Sequence, residues 1–204
     1  MKKYGLGCGA LVVLLGAIVL IGGCSSYNRM VGLSQNVDSK WAQVQNQYQR
    51  RLDLIPNLVN TVSGAANFEK STITEVTEAR ARVGQVNINP NQAPADPAQL
   101  EKFEQAQGQL GSALSRLLVV AERYPELRAT QNFAGLQAEL AGTENRISVE
   151  RMRFNDAVQQ YNTTVQRLPA RLYAGAMGFN PKPYFKSAAG AEAPPKVEFD
   201  FNKK

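Results

Sequence analysis

Every seventh residue from Phe133 to Leu168 is apolar: Phe133, Leu140, Ile147, Phe154, Tyr161 and Leu168. Leu136, Val158 and Val165 supply second positions beside them. Seven residues make close to two turns of an α-helix, so these side chains form one stripe along a rod, and such a stripe must be buried against something. The interval recurs at Phe103, Leu110, Leu117 and Tyr124, with Leu100 and Leu114 on the adjoining stripe. Earlier, Val37 and Val44 pair with Trp41, Tyr48 and Ile55 in the same manner, and Val59, Val62, Ala66, Ile73, Val76 and Val83 follow. Rods with one apolar stripe each, joined by short connections, satisfy the stripes by facing them together. The sequence therefore predicts an all-α fold, an elongated antiparallel four-helix bundle with crossings of about 20°. The 204 residues, 44% of them apolar, suit one domain of this kind.

Four helical pieces are expected: Tyr27 to Asp53, Pro56 to about Val86, Pro97 to Arg123, and Pro125 to Leu168. The stretch Asn87 to Gln99, with Pro90, Pro94 and Pro97 among Asn and Asp, cannot propagate a helix. It reads as a loop in which Asp96 caps the next helix and Pro97 takes its first position. Pro125 disfavours helical geometry at Tyr124, so a tight reversal or bend is expected there. Small residues on the third piece, Gly108, Gly111, Ser112 and Ala113, are expected to allow close backbone approach. Past Leu168, Gly, Pro and aromatics mix, which predicts an irregular C-terminal strap laying Leu172, Tyr173, Phe179, Tyr184 and Phe185 on the bundle. The tail from Ser187 to Lys204 is expected to be mobile, and its VEFDF alternates like a short edge strand.

Ahead of the bundle, Tyr4 to Gly23 carries no charge. As a helix this segment reaches about 30 Å, the thickness of a bilayer's hydrocarbon core. Two readings compete. The end of the run, Leu20-Ile21-Gly22-Gly23-Cys24, has the form of a bacterial lipobox, which makes Cys24 a candidate for lipidation after cleavage. The run is also longer than the apolar core of a signal peptide, which suits an uncleaved membrane-anchor helix. Under either reading the chain is tethered, and Lys2 and Lys3 put the N-terminus on the cytoplasmic side and the body on the extracytoplasmic side. Cys8 reads as a small residue packed in that helix.

The chain has no histidine, and its two cysteines, Cys8 and Cys24, both fall within the first 24 residues. Histidine-based acid/base chemistry, histidine zinc ligation and Ser-His or Cys-His nucleophiles are thereby excluded, and the body has neither disulfide nor thiol nucleophile. The Glu-x-x-His pattern of di-iron bundles is excluded with them. No cofactor and no metal are expected. The net charge of +6 is spread among acidic residues without basic blocks, so no nucleic-acid footprint is indicated.

Two polar constellations interrupt the apolar pattern. In RRLDLIPNLVN, Arg50, Arg51 and Asp53 precede Pro56. A proline inside a helix frees a carbonyl near Leu52, which an arginine can engage; alternatively Asp53 caps a new helix. Asp53 and Pro56 are thus expected at a helix bend or cap. In GTENRISVERMRFN, Glu144, Arg146, Glu150, Arg151 and Asn155 border the stripe, with Glu144 and Arg151 seven apart on one face. If that face is buried, its charges need matching, and Glu78, Arg80, Glu122 and Arg123 are the candidate partners, together with Arg50 and Arg51. A buried polar network of this kind fixes helix register. Paired carboxylates for acid/base work need unequal environments that no sequence feature announces. The polar face of Gln43, Asn46, Gln47 and Arg50 reads as a solvated surface or a contact for a partner.

The anchor followed by SYNRMV, WAQVQNQYQRRLDLIPNLVNTV, EVTEARARV, ERYPELRATQNFAGLQAELAGTENRISVERMRFNDAVQQYN and GFNPKPYF resembles the LemA family of bacterial membrane-anchored proteins, with the motifs in order over nearly the whole body. The resemblance implies a four-helix bundle outside the membrane without an established catalytic activity. Relatives of this kind are often encoded near a membrane zinc metalloprotease, so the resemblance also points to envelope quality control. The expected organisation is an anchor or lipoprotein signal over 1–24, a LemA-like helical bundle over 25–186 and a tail over 187–204. The expected function is a non-enzymatic, membrane-tethered scaffold of the envelope that contacts envelope proteins or itself. The alternative is a bundle that binds a small molecule or lipid between its helices.

Overall fold

The computed structural model describes residues 3–65 and 68–186, and side chains from Gly22 onward. The expectations for the tail, including its edge strand, lie outside the described residues, as do nearly all the side chains of the proposed anchor. Five helices run in order: α1 (Lys3–Ser63), α2 (Lys70–Gln85), α3 (Pro97–Ala121), the single turn α4 (Pro125–Arg128) and α5 (Gln131–Gln166). Two short 3-10 turns follow at Ala170–Leu172 and Gly175–Met177, and no strand occurs among the described residues.

Cross-helix pairs give the directions. Arg50 bonds Glu139 while Trp41 packs on Phe154, so α1 and α5 are antiparallel. Glu75 meets Arg116 and Arg82 meets Gln109, so α2 and α3 are antiparallel too. Two buried clusters succeed one another along the rod. One gathers Ile55, Leu58 and Val62 of α1 with Val76 of α2, Leu110 and Leu117 of α3 and Phe133 of α5. The other gathers Val37, Trp41 and Val44 with Phe103, Phe154, Tyr161 and Phe185. Trp41 is its centre, its ring within 6 Å of those of Phe103, Phe154 and Phe185. The spacings of seven explain both clusters, because each long helix turns one continuous stripe inward.

The boundary expected near Pro56 is corrected. α1 runs unbroken through Pro56 to Ser63, and the reversal follows Ser63 instead. The apolar series Tyr48, Ile55, Val62 and its companion Leu58 keep their spacing across the proline and stay buried, so packing holds the helix where propensity alone would end it. The exposed Pro56 ring costs one backbone bond, discussed below. Asp53 accordingly caps nothing; it sits mid-helix, exposed, accepting a bond from Gln49 Nε2 at 2.8 Å. At the Pro97 end the cap is as the sequence suggests, with the Asp96 side chain accepting from Ala98 N at 2.9 Å. After α4, Thr130 caps α5 by accepting from Phe133 N, so the last helix begins at Gln131 and not at Pro125.

Three smaller expectations are also corrected. Leu168 is 73% exposed because α5 ends at Gln166, which takes the last member of the series off the stripe. In the strap, Phe185 is buried and Tyr173 and Phe179 pack on the core, but Leu172 and Tyr184 face outward. Gly108 and Gly111 do not mark a close approach, since a Cβ at either would meet no atom within 4 Å. Among the described residues no helix is long and apolar enough to cross a membrane.

Candidate functional site: the groove between α3 and α5

Arg51 occupies a position where the pattern asks for a hydrophobe. Val37, Val44, Arg51 and Leu58 are spaced by seven, and all four are buried. Gln107 does the same on α3, between Leu100 and Leu114. The two polar intruders meet: Arg51 Nη2 donates to the Gln107 side-chain oxygen and to its backbone carbonyl. Arg51 Nη1 donates to Glu144 Oε2 of α5 at 2.8 Å, and the guanidinium lies over the Tyr48 ring, 5.1 Å from its centroid. One side chain of α1 thus ties α3 and α5 at a single level. A guanidinium left unpaired here would be strongly destabilising, and a mismatched register would unpair it, so the layer selects one alignment of three helices.

Above this layer α3 and α5 stand apart, leaving a groove of about 790 Å³. Gly108, Gly111, Ser112 and Ser115 form its α3 wall; Gln137, Ala141 and Glu144 form its α5 wall; Leu114, Leu118 and Leu140 line its apolar end. The open space beside Gly108 and Gly111 belongs to this groove. At its other end Arg151 donates to Glu104 at 2.7 Å and to the Lys186 carbonyl at 2.9 Å, while its guanidinium covers the Phe185 ring. Burial raises the Glu104 carboxyl above its ordinary value despite the opposing charge of Arg151. Burial likewise pushes the Tyr48 hydroxyl up. Arg51 Nε is buried and meets no acceptor among the described residues.

The remaining candidates of the polar network go elsewhere. Glu78 pairs with Arg82 on the surface of α2, Glu122 with Arg128, and Arg123 with Glu69, all exposed. Arg80 donates to the Leu52 carbonyl. None of these four reaches Glu144, whose partner is Arg51. Arg50 bonds Glu139 at the surface, and Arg146 bonds Gln47 and Thr143. Asn155 holds the strap, donating to the Phe185 carbonyl and accepting from the Phe185 N–H. Asn162 does the same for Lys182. Of the face Gln43, Asn46, Gln47 and Arg50, all but the half-buried Gln47 are exposed.

The sequence reading missed Gln107, Glu104, Asn162 and the Asp38–Lys182 pair at 2.9 Å. Gln107 carried a visible signal, a polar residue inside a series of sevens, as did Arg51. The others lie beside the stripe and find partners only through the strap. Among the described residues no three His, Cys, Asp or Glu side chains converge as a metal ion would require. Cys24 is exposed and forms no disulfide among the described residues.

Comparison with known proteins places this geometry in a family. The chain is 25% identical over 186 residues to magnetosome protein MamQ 2 of Paramagnetospirillum magneticum, covering 82% of this chain and 67% of that protein. It is 24% identical over the same shares to magnetosome protein MamQ of Magnetospirillum gryphiswaldense. It is 19% identical over 138 residues to protein LemA of Metamycoplasma hominis, covering 68% of this chain and 58% of that one. The family model described as the LemA family matches residues 40–199, so the chain belongs to the LemA family.

Proposed function

We propose that this protein is a membrane-tethered, non-enzymatic helical scaffold of the bacterial cell envelope, an antiparallel bundle held outside the membrane by its N-terminal segment and acting through protein–protein contacts. The observation that carries the reading is the use made of charge. Arg51, Glu144, Arg151 and Glu104, the charged groups lining the groove between α3 and α5, are paired across helices and to the strap, so they serve alignment. A general acid/base pair needs groups free to take and give a proton at a reacting atom. Membership of the LemA family and similarity to proteins named for the magnetosome support an assembly role.

A photoreactive residue at Gln43 or Asn46 of the full-length chain, in intact cells, tests this reading. Discrete adducts with the same one or few envelope proteins, formed at native expression, are expected. Absence of any protein adduct together with a lipid or metabolite co-purifying at one per chain would favour the second reading, a binder of small molecules. The groove of about 790 Å³ lies within the usual size range of such sites.

A further inference from the structure

At the end of the rod nearest the N-terminal segment, α1 is joined by the chain that follows α5. α5 stops at Gln166, beside the turn of α1 that holds Tyr27 and Met30: the Tyr27 ring meets that of Phe179 at 5.5 Å, and Met30 shares a buried cluster with Val165, Ala170 and Ala174. The two 3-10 turns thus sit about 6–10 Å of helix above Gly23, the last residue of the uncharged run. Ala170 and Ala174 face the core, and Leu168, Leu172 and Met177 are turned outward. Of the large apolar side chains exposed among the described residues, four stand at this end, Tyr27, Leu168, Leu172 and Met177, with Leu172 78% exposed. Exposed apolar groups gathered in this way mark a contact surface. Arg29, Arg167 and Arg171 are exposed among them, and neither 22–37 nor 157–186 contains an Asp or Glu. The next carboxylate along α1, Asp38, is taken by Lys182.

We propose that this end is a membrane-docking foot: the two 3-10 turns lie on the bilayer that holds the N-terminal segment, with Leu168, Leu172 and Met177 among the upper acyl chains and Arg29, Arg167 and Arg171 on anionic phosphate headgroups. The inference rests on the tethered reading above. Position and charge name the occupant. A helix that leaves the hydrocarbon at Gly23 carries Tyr27 through a headgroup layer about 5–7 Å deep, and tyrosine suits that depth, its ring apolar and its hydroxyl wet. The turns packed beside Tyr27 are brought to the same level. Apolar side chains at an interface reach about 5–10 Å into the boundary of headgroups and acyl chains, and adjacent cations are drawn to anionic lipid. Arg167 precedes Leu168 and Arg171 precedes Leu172, so each apolar group has a cationic one next to it. A rod held at one point swings freely. A second point of attachment sets its tilt, and with it the direction in which the face of Gln43 and Asn46 is presented.

Tryptophan quenching in the full-length chain tests the foot. The probes are Leu172→Trp and, separately, Met177→Trp, both at exposed positions where a larger ring overpacks nothing. The chain is held in nanodiscs of phosphatidylcholine and phosphatidylglycerol at about 3:1, with and without bromine on the upper acyl chains. Trp41 is fully buried and about 27 Å of helix above Gly23, so the unmodified chain gives the unquenched baseline. Val119→Trp, exposed near the opposite end of α3, is the control. Bromine is expected to weaken the added emission of both probes at least about twofold and to leave the control unchanged. Phosphatidylcholine alone should reduce the quenching, as should Arg167→Gln with Arg171→Gln in one chain. Unquenched probes on a chain that stays with the nanodisc overturn the foot and leave the tether standing; if their emission is also blue-shifted, a protein is the occupant instead. Quenching of equal strength without phosphatidylglycerol overturns the headgroup assignment. A chain that does not stay with the nanodisc overturns the tethered reading, and the foot with it.

Discussion

Arg80 Nε donates to the Leu52 carbonyl at 3.2 Å, the oxygen whose helical donor would be the N–H that Pro56 lacks. A proline in a helix interior removes one bond and crowds the carbonyl four residues back. Here the neighbouring helix α2 supplies the missing donor, so the break in α1 becomes a tie between α1 and α2. The proline therefore does not divide the helix; it creates an acceptor that only a correctly placed partner satisfies.

Pro56→Ala is expected to stabilise the protein by about 1–3 kcal/mol, since it restores the internal bond. Arg80→Ala should cost about 1 kcal/mol in the native chain and markedly less in the Pro56→Ala background. A double-mutant cycle by denaturant unfolding measures the coupling; additive effects would separate the two residues.

Arg51 and Glu144 form one pair with very different surroundings, their side chains 4% and 63% exposed. Arg51→Ala is expected to cost about 3 kcal/mol or more, because it empties a core position and leaves the Gln107 side chain without its donor. Glu144→Gln keeps an acceptor and faces the groove, so about 1 kcal/mol or less is expected. Equal losses in equilibrium unfolding would contradict the placement of Arg51 as the central tie.

Phe154 is fully buried and Leu168 is largely exposed, although both belong to one series of sevens. Phe154→Ala should cost about 3–5 kcal/mol, and Leu168→Ala should stay within about 0.5 kcal/mol. Thermal melts of the two variants check this, and a Leu168 variant that melts like the Phe154 one would require a longer α5.

The Glu104 carboxyl titrates above its ordinary value of 4.5 in the folded protein, first because it is buried. The folded state thus holds that proton more tightly than the unfolded chain. Its contribution is fully present below the unfolded value and is lost as pH rises through the raised folded value. Glu104→Gln removes this term, so its stability relative to the unmodified protein is expected to improve between pH 4 and pH 7. Melting curves at the two values decide; a relative stability that falls with pH reverses the assignment.

The helices were legible because their stripes repeat over many turns, so that single violations such as Arg51 or Gln107 stand out. The Asp96 cap was legible because side chain and proline stand next to each other. The end of α1 was not, since the local penalty at Pro56 is overridden by Ile55, Leu58 and Val62 packing on other helices, and Arg80 lies 28 residues away. The polar network was legible in membership only in part. Glu144 and Arg151 were found by spacing, but their partners are chosen by which helices face each other, and Glu104 and Gln107 follow from that geometry. The groove could not be read at all: Gly108 and Gly111 in a sequence suggest contact, whereas here they border open space.

That the groove's charges align helices and take no part in a reaction is tested most directly by Glu104→Gln with Glu144→Gln in one full-length chain. Adducts from a photoreactive Asn46 in intact cells provide the readout, with circular dichroism confirming the fold. The account predicts a folded protein with the same envelope adducts in the same yield. A folded protein whose adducts vanish would contradict it.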